Sequence, residues 1–186
     1  MIILASNSTR RIDLLKDAGF NFEVIPSNIE ENIKKELKPF ENAMGLSREK
    51  ALDVFSRNPD KIILAADTIV AYKNEIFGKP KDREDAFRML KTLSNKTHDV
   101  ITGVTIINND NVDTFYSKSS VTFNELSDDD ILSYVNTGEP IGKAGSYAIQ
   151  GLGKNLIKTF NGDFFTIVGL PLKQVVDKLN LILSDK

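Results

Sequence analysis

The sequence predicts an α/β protein, a mixed and twisted sheet flanked by helices. Two observations carry this. Short apolar runs alternate with helical patterns early in the chain, and two Val-, Ile- and Thr-rich runs enter later as a long hairpin. A third bounds the size: 186 residues, 41% hydrophobic and 27% charged, suit one domain spanning 1–186, or at most two interleaved lobes. That composition also excludes disorder.

In chain order, Ile2–Ala5 is a buried first strand that ends in Ser6 and Asn7. From Ser8, which suits an N-cap, Ile12, Leu14 and Leu15 supply an apolar helical face until Gly19. Phe22–Ile25 reads as a second strand, and an acidic loop through Glu30 and Glu31 follows. Pro39 precedes a helix with a stripe of Ala43, Leu46, Ala51, Val54 and Phe55, closing near Asn58 and Pro59. Ile62–Ala66 is a central strand bounded by Asp67, and Ile69–Tyr72 with Glu75–Phe77 forms a small hairpin about Lys73 and Asn74. Asp82 caps a helix carrying Ala86, Met89, Leu90 and Leu93. Residues 98–107 and 112–123 pair across an Asn-Asn-Asp-Asn turn. Ser127 begins a helix that stops at Gly138. A glycine-rich loop, strands near 154–160 and 164–168, and a last helix from Pro171 complete the chain.

Several classes of function are excluded or disfavoured. No apolar run approaches the ~20 residues that span a bilayer, and no basic segment leads into an apolar one at the start, so neither a membrane span nor a secretory signal is expected. The absence of cysteine removes disulfides, thiolate zinc sites and thiol nucleophiles. A net charge of −2, spread evenly, offers no stripe for nucleic acid. The expectation is a cytoplasmic globule whose function sits in a local cleft.

Five segments hold candidate chemistry, each with a plainer alternative. Ser6-Asn7-Ser8-Thr9-Arg10-Arg11 joins the first strand to the first helix. Arg10 and Arg11 have the wrong sign for a helix N-terminus unless an anion rests there; otherwise they are solvated arginines. Asp67-Thr68 follows a strand, where a carboxylate binds a cation or orients water, or simply caps a turn. Lys50 falls near the apolar side of its helix and either snorkels outward or points into a cleft. Lys79 in Gly78-Lys79-Pro80, and Lys143 in its glycine loop, are held cations or exposed turn residues. That glycine loop does not match the Walker pattern G-x-x-x-x-G-K-[ST]. Glu30 and Glu31 would supply oxygen ligands for Mg²⁺ together with Asp67, or be an ordinary solvated pair. His98 reads as structural, Asp128–Asp130 as helix capping, and Phe115, Tyr116 and Phe123 as packing.

Taken together, ILASNSTRRIDLL, the IEE loop, LSREKA, AADTIV, FGKP with AFRML, HDVITGV, KAGSYAIQG and VGLPL resemble the Maf family of nucleoside triphosphate pyrophosphatases, nearly end to end. The resemblance implies an anvil-like, Maf/ITPase-like fold of two lobes with a cleft, often as a homodimer. It implies hydrolysis of the α–β bond of a nucleoside triphosphate substrate with a divalent cation, Mg²⁺ or Mn²⁺. By it, Asp67 is catalytic, Glu31 and Asp67 hold the metal, and Ser6, Arg10, Arg11, Lys50 and Lys79 bind substrate. Arg10, Thr68 and Gln150 resemble the branch acting on dTTP and UTP. The branch acting on 7-methyl-GTP tends to carry an aromatic residue, Gln and Glu at those places. A 7-methyl-GTP or modified-pyrimidine enzyme, and a nucleotide-binding regulator of septum formation, are the alternatives. Four positions depart from the family pattern: Thr9 stands for Pro, Asn95 for Gly, Gly142 for Asp and Ala148 for Gly. The Gly142 departure questions what aims Lys143, and the Ala148 departure bears on base selectivity.

Overall fold

In a computed structural model that describes residues 1–109 and 111–184, β1 (Ile2–Leu4) runs parallel to both β2 (Phe22–Val24) and β3 (Ile62–Tyr72). All three β1 side chains are buried, as a strand covered on both faces requires. The sheet order is β2-β1-β3, then β5 (Thr97–Asn108), β6 (Asn111–Phe123) and β7 (Ile157–Asn161), with β4 (Glu75–Phe77) antiparallel to the far end of β3. Strands β5 and β6 are the expected long hairpin, and Asp110 of its turn lies outside the described residues. β7 is antiparallel to β6. The mixed α/β class is as the sequence predicts.

Helices α1 (Thr9–Asp17), α2 (Pro39–Arg57), α3 (Arg83–Leu93), α4 (Asp128–Asn136), α5 (Phe164–Val168) and α6 (Leu172–Ser184) flank it. Pro39 takes the first helical position of α2, where its missing N–H costs nothing, and the Glu41 carboxylate accepts the Lys38 N–H at 2.7 Å. Asp82 caps α3 by accepting from Asp85 N, and Ser127 and Asp130 cap α4 reciprocally. Ser8 stands at the cap of α1, but its hydroxyl makes no capping bond, which corrects the expected side-chain cap. No helix among the described residues is long and apolar enough to cross a membrane.

Three expectations are revised. The strand predicted to end at Ala66 continues through Asp67 and Thr68 to Tyr72. Asp67 therefore lies within β3, three residues past Leu64, where pairing with β1 stops as that chain turns toward α1. The segment 164–168 is helical rather than extended. Asp163 accepts from both the N–H and the hydroxyl of Thr166 at 2.7 Å, a capping arrangement that overrides the β-prone composition. The strand expected near 154–160 shifts to Ile157–Asn161, because Gly151–Leu156 forms 3-10 turns.

Chain contacts divide the molecule into two compact units. The first comprises 1–67, 102–117 and 169–186, the second 68–101 and 118–168. Ile3, Ala5, Ala51, Val54, Ile63, Ala65 and Ile107 form a core in the first. There, Gly103 on β5 lets α2 approach closely: a Cβ at that place would lie 2.3 Å from the Ala43 carbonyl group. In the second, Phe77, Leu90, Leu93, Val121 and Phe123 are among the buried residues of a larger core.

Candidate active site

In the first unit, Glu31, Lys50 and Asp67 meet, with Arg11 within electrostatic reach of the two carboxylates. Lys50 sits on the buried face of α2 beside Ala43, Leu46, Ala51 and Val54, with only 8% of its surface exposed. Its ammonium meets Asp67 Oδ1 at 2.5 Å and Glu31 Oε1 at 2.8 Å. The choice between snorkelling and pointing inward is thereby settled. A buried cation held by carboxylates from a strand and a loop is a costly arrangement to keep without a use.

Arg11 is also buried. Its Nε donates to the Gly169 carbonyl at 2.7 Å and its Nη1 to Ser6 Oγ at 3.2 Å. Burial pushes the guanidinium below its usual range; Asp67 and Glu31 oppose that shift, while the neighbouring Arg10 adds to it. Arg11 thus lies within electrostatic reach of both carboxylates. Ser6 also accepts the Ser8 N–H at 3.2 Å, which fixes the turn into α1. With no acidic residue in its first turn and no side-chain cap, that helix start retains its affinity for an anion. Arg10 is half-buried there.

The acidic loop is pinned at both ends. Asn28 N donates to Asp53 Oδ2 at 3.0 Å, and this bond, with Arg57, holds the Asp53 carboxyl below its usual range despite partial desolvation. Asn42, 3% exposed on α2, accepts from Lys34 N at 2.8 Å and donates to the Lys34 carbonyl at 3.0 Å. Glu31, between these anchors, reaches Lys50. Sequence reasoning missed Asn42; a buried-side amide next to Ala43 in the apolar stripe was its signal. Glu30 is exposed.

The second unit holds Thr68, Lys79 and Gln150. Lys79 is exposed in a loop that is nonetheless fixed, since the preceding Gly78 carbonyl accepts Gly145 N–H at 3.1 Å. Gly145, at φ +66°, would place a Cβ 2.8 Å from the Val70 side chain of β3, so both its backbone state and its close approach to that strand favour glycine. Lys143 is aimed after all: its ammonium donates to the Glu139 carbonyl. Gly142 has φ +77°, a backbone state that glycine adopts without strain, and Asn95, at φ +55°, is a residue type that tolerates the same region. Gln150 is exposed at the start of the 3-10 turns.

Glu139 was not foreseen. Its carboxylate accepts from Tyr134 OH at 3.0 Å, Leu152 N at 3.0 Å and Gly153 N at 2.9 Å. Burial raises this carboxyl, but those donors together with Lys143 bring it below the ordinary glutamate value. Its signal was only a lone Glu after the helix-ending Gly138.

The residues set aside as structural behave so. His98 is 2% exposed, with Nε2 2.7 Å from Tyr147 OH and its ring edge-on to Phe123 and Tyr147. Burial drives it down to about 4. Phe123 is in the core, Tyr116 stacks on Phe40 at 4.9 Å, and Phe115 lies under the Lys178 ammonium at 4.8 Å.

Glu31 and Asp67 share one cation-sized position, now filled by the Lys50 ammonium. Among the described residues no group of three or more His, Cys, Asp or Glu side chains gathers to hold a metal. Two carboxylates suit Mg²⁺, which commonly takes one or two from protein and the rest from phosphate and water.

Comparison with known proteins gives a consistent result. The family model described as "Maf-like protein" matches residues 1–182. The dTTP/UTP pyrophosphatase of Thermosipho africanus is 53% identical over 178 residues, covering 96% of this chain and 91% of its own. That of Acholeplasma laidlawii is 48% identical over 180 residues, covering 96% and 95%. Among solved structures, the Staphylococcus aureus Ham1 protein aligns with a TM-score of 0.48 at 18% identity, covering 84% of this chain and 79% of its own, a likeness too loose to bear on individual residues.

Proposed function

Because the chain belongs to the Maf-like protein family, we propose that it hydrolyses dTTP and UTP to the nucleoside monophosphate and pyrophosphate. The pyrimidine preference rests on the names of its near full-length relatives. The observation that carries the chemistry is the seating of Lys50 between Asp67 and Glu31, with Arg11 in electrostatic contact with both.

In this reading Asp67 accepts a proton from a water whose oxygen attacks the α-phosphorus. The bond to the α–β bridging oxygen breaks, and that oxygen leaves with pyrophosphate. Arg11 and Lys50 offset the negative charge spread over the phosphates, where fixed donors in a partly dry site act most strongly. Arg10 and Lys79 are assigned to the same polyanion, Ser6 to fixing Arg11, and Thr68 and Gln150 to the nucleoside. Gln150 offers both a donor and an acceptor, as the imide edge of uracil or thymine requires. Glu31 and Asp67 would hold Mg²⁺ or Mn²⁺, which when bound neutralises phosphate charge and makes water more acidic.

The test is a panel of triphosphates, among them dTTP, UTP, GTP, 7-methyl-GTP and 5-methyl-UTP, with Mg²⁺, Mn²⁺ or Co²⁺, scored for pyrophosphate against orthophosphate. Pyrophosphate released fastest from dTTP and UTP is expected. Orthophosphate as first product, or binding with no turnover, overturns the proposal.

A further inference from the structure

Gln150 is exposed, so something other than its own burial must hold it if it is to read a base. The backbone around it is held on both sides. Beyond it, Leu152 N and Gly153 N donate to the two oxygens of Glu139, and a Cβ on Gly151, whose φ is +82°, would stand 2.8 Å from Glu139 Oε2. Before it, a Cβ on Gly153 would stand 2.2 Å from the Ala148 carbonyl oxygen, so these two backbones are in direct contact. Ala148 to Gly153 is thus a closed loop with Gln150 at its tip and the Glu139 carboxylate at its base. Tyr134 OH, from α4, fixes that carboxylate in turn at 3.0 Å.

We propose that Glu139 is a positioning residue for base selection: by gripping Leu152 and Gly153 it sets where the Gln150 amide stands. The inference rests on Gln150 reading the base, as argued above. A carboxylate is suited to the task because it only accepts, and all three groups facing it donate. The amide of a Gln side chain has one acceptor oxygen and would turn an NH₂ toward one of those donors.

The experiment measures kcat/KM for UTP and for GTP in wild type, Glu139→Gln, Tyr134→Phe, Gln150→Ala and the Glu139→Gln/Gln150→Ala pair, with a thermal midpoint for each. In Glu139→Gln the UTP:GTP ratio is expected to fall about tenfold, the equivalent of one misplaced hydrogen bond. Tyr134→Phe should shift it less and in the same direction, and the double variant should be no less selective than Gln150→Ala alone. A purely structural role would lower both substrates equally and leave the ratio unchanged. An unchanged ratio in Glu139→Gln, with Gln150→Ala losing selectivity, overturns the inference alone. If Glu139→Gln does not fold, an unchanged ratio in Tyr134→Phe overturns it. A wild type that releases no pyrophosphate, or a Gln150→Ala variant that keeps the ratio, overturns the underlying reading as well.

Discussion

The Lys50 ammonium lies 2.5 Å from the Asp67 carboxylate, both side chains about nine-tenths buried, one from a helix and the other from the middle of a strand. Removing Lys50 leaves the buried Asp67 carboxylate without its ion pair, a loss of about 3–5 kcal/mol in comparable pairs, whereas removing Asp67 leaves Lys50 still paired with Glu31 and costs less. Lys50→Met is therefore expected to lower the urea midpoint sharply, and Lys50→Met/Asp67→Asn to regain much of the loss without regaining activity. A single variant as stable as wild type would contradict this.

Asp67→Asn separates chemistry from binding. Loss of a general base costs roughly 10²–10⁴ in rate. Turnover should fall by at least that much while titration calorimetry still detects the triphosphate. Near-normal turnover would remove Asp67 from the role.

Arg11→Lys keeps the charge but loses the fork that joins the Gly169 carbonyl to Ser6. With charged hydrogen bonds at about 1.5–3 kcal/mol, kcat/KM should drop roughly tenfold to a hundredfold. Steady-state kinetics at saturating cation check this, and an unchanged value would leave Arg11 a structural residue.

Two glycines should respond in opposite directions to alanine. Gly103→Ala drives a methyl into the Ala43 backbone and is expected to destabilise by about 1–3 kcal/mol or more. Gly45, inside α2 with open space where a Cβ would stand, should gain about 0.5–1 kcal/mol. Chemical denaturation of both variants tests the pair, and the same sign for both would contradict the close approach of α2 to β5.

His98 predicts an acid weakness. Its value is depressed from 6.5 to about 4 by burial, so the unfolded chain binds the proton more readily between those limits. The stability conferred by a neutral His98 is complete above about pH 6.5 and is lost as pH falls toward 4, amounting to about 3 kcal/mol. His98→Gln should flatten the stability profile over that window relative to wild type. Parallel profiles would show that His98 ionises without penalty.

Elements with a clear period were legible from sequence: α2, α3, α4 and the β5–β6 hairpin lie where Leu46, Leu90, Ser127 and the Val/Ile/Thr runs indicate. The short apolar run Phe164–Val168 was not, since length and composition cannot separate a buried strand from a helical turn. Asp163, three residues before Thr166, was the overlooked sign. The apolar run Ile62–Ala66 breaks at Asp67, so the sequence pattern ends the strand there; the Lys50 that compensates the charge comes from another element. The contacts that make the site join residues 158 positions apart in the case of Arg11 and Gly169, a relation no local spacing encodes. The acidic loop was legible as a loop, but its tethering by Asn42 was not.

Neither compact unit is a continuous stretch of polypeptide, and β3, β5 and β6 each pass from one into the other partway along. A truncation cannot excise the portion bearing Lys50 and Asp67: a minimal version would have to splice three separate segments. Deletion mapping and simple modular exchange are therefore poor tools for this protein, and its parts are better separated one side chain at a time.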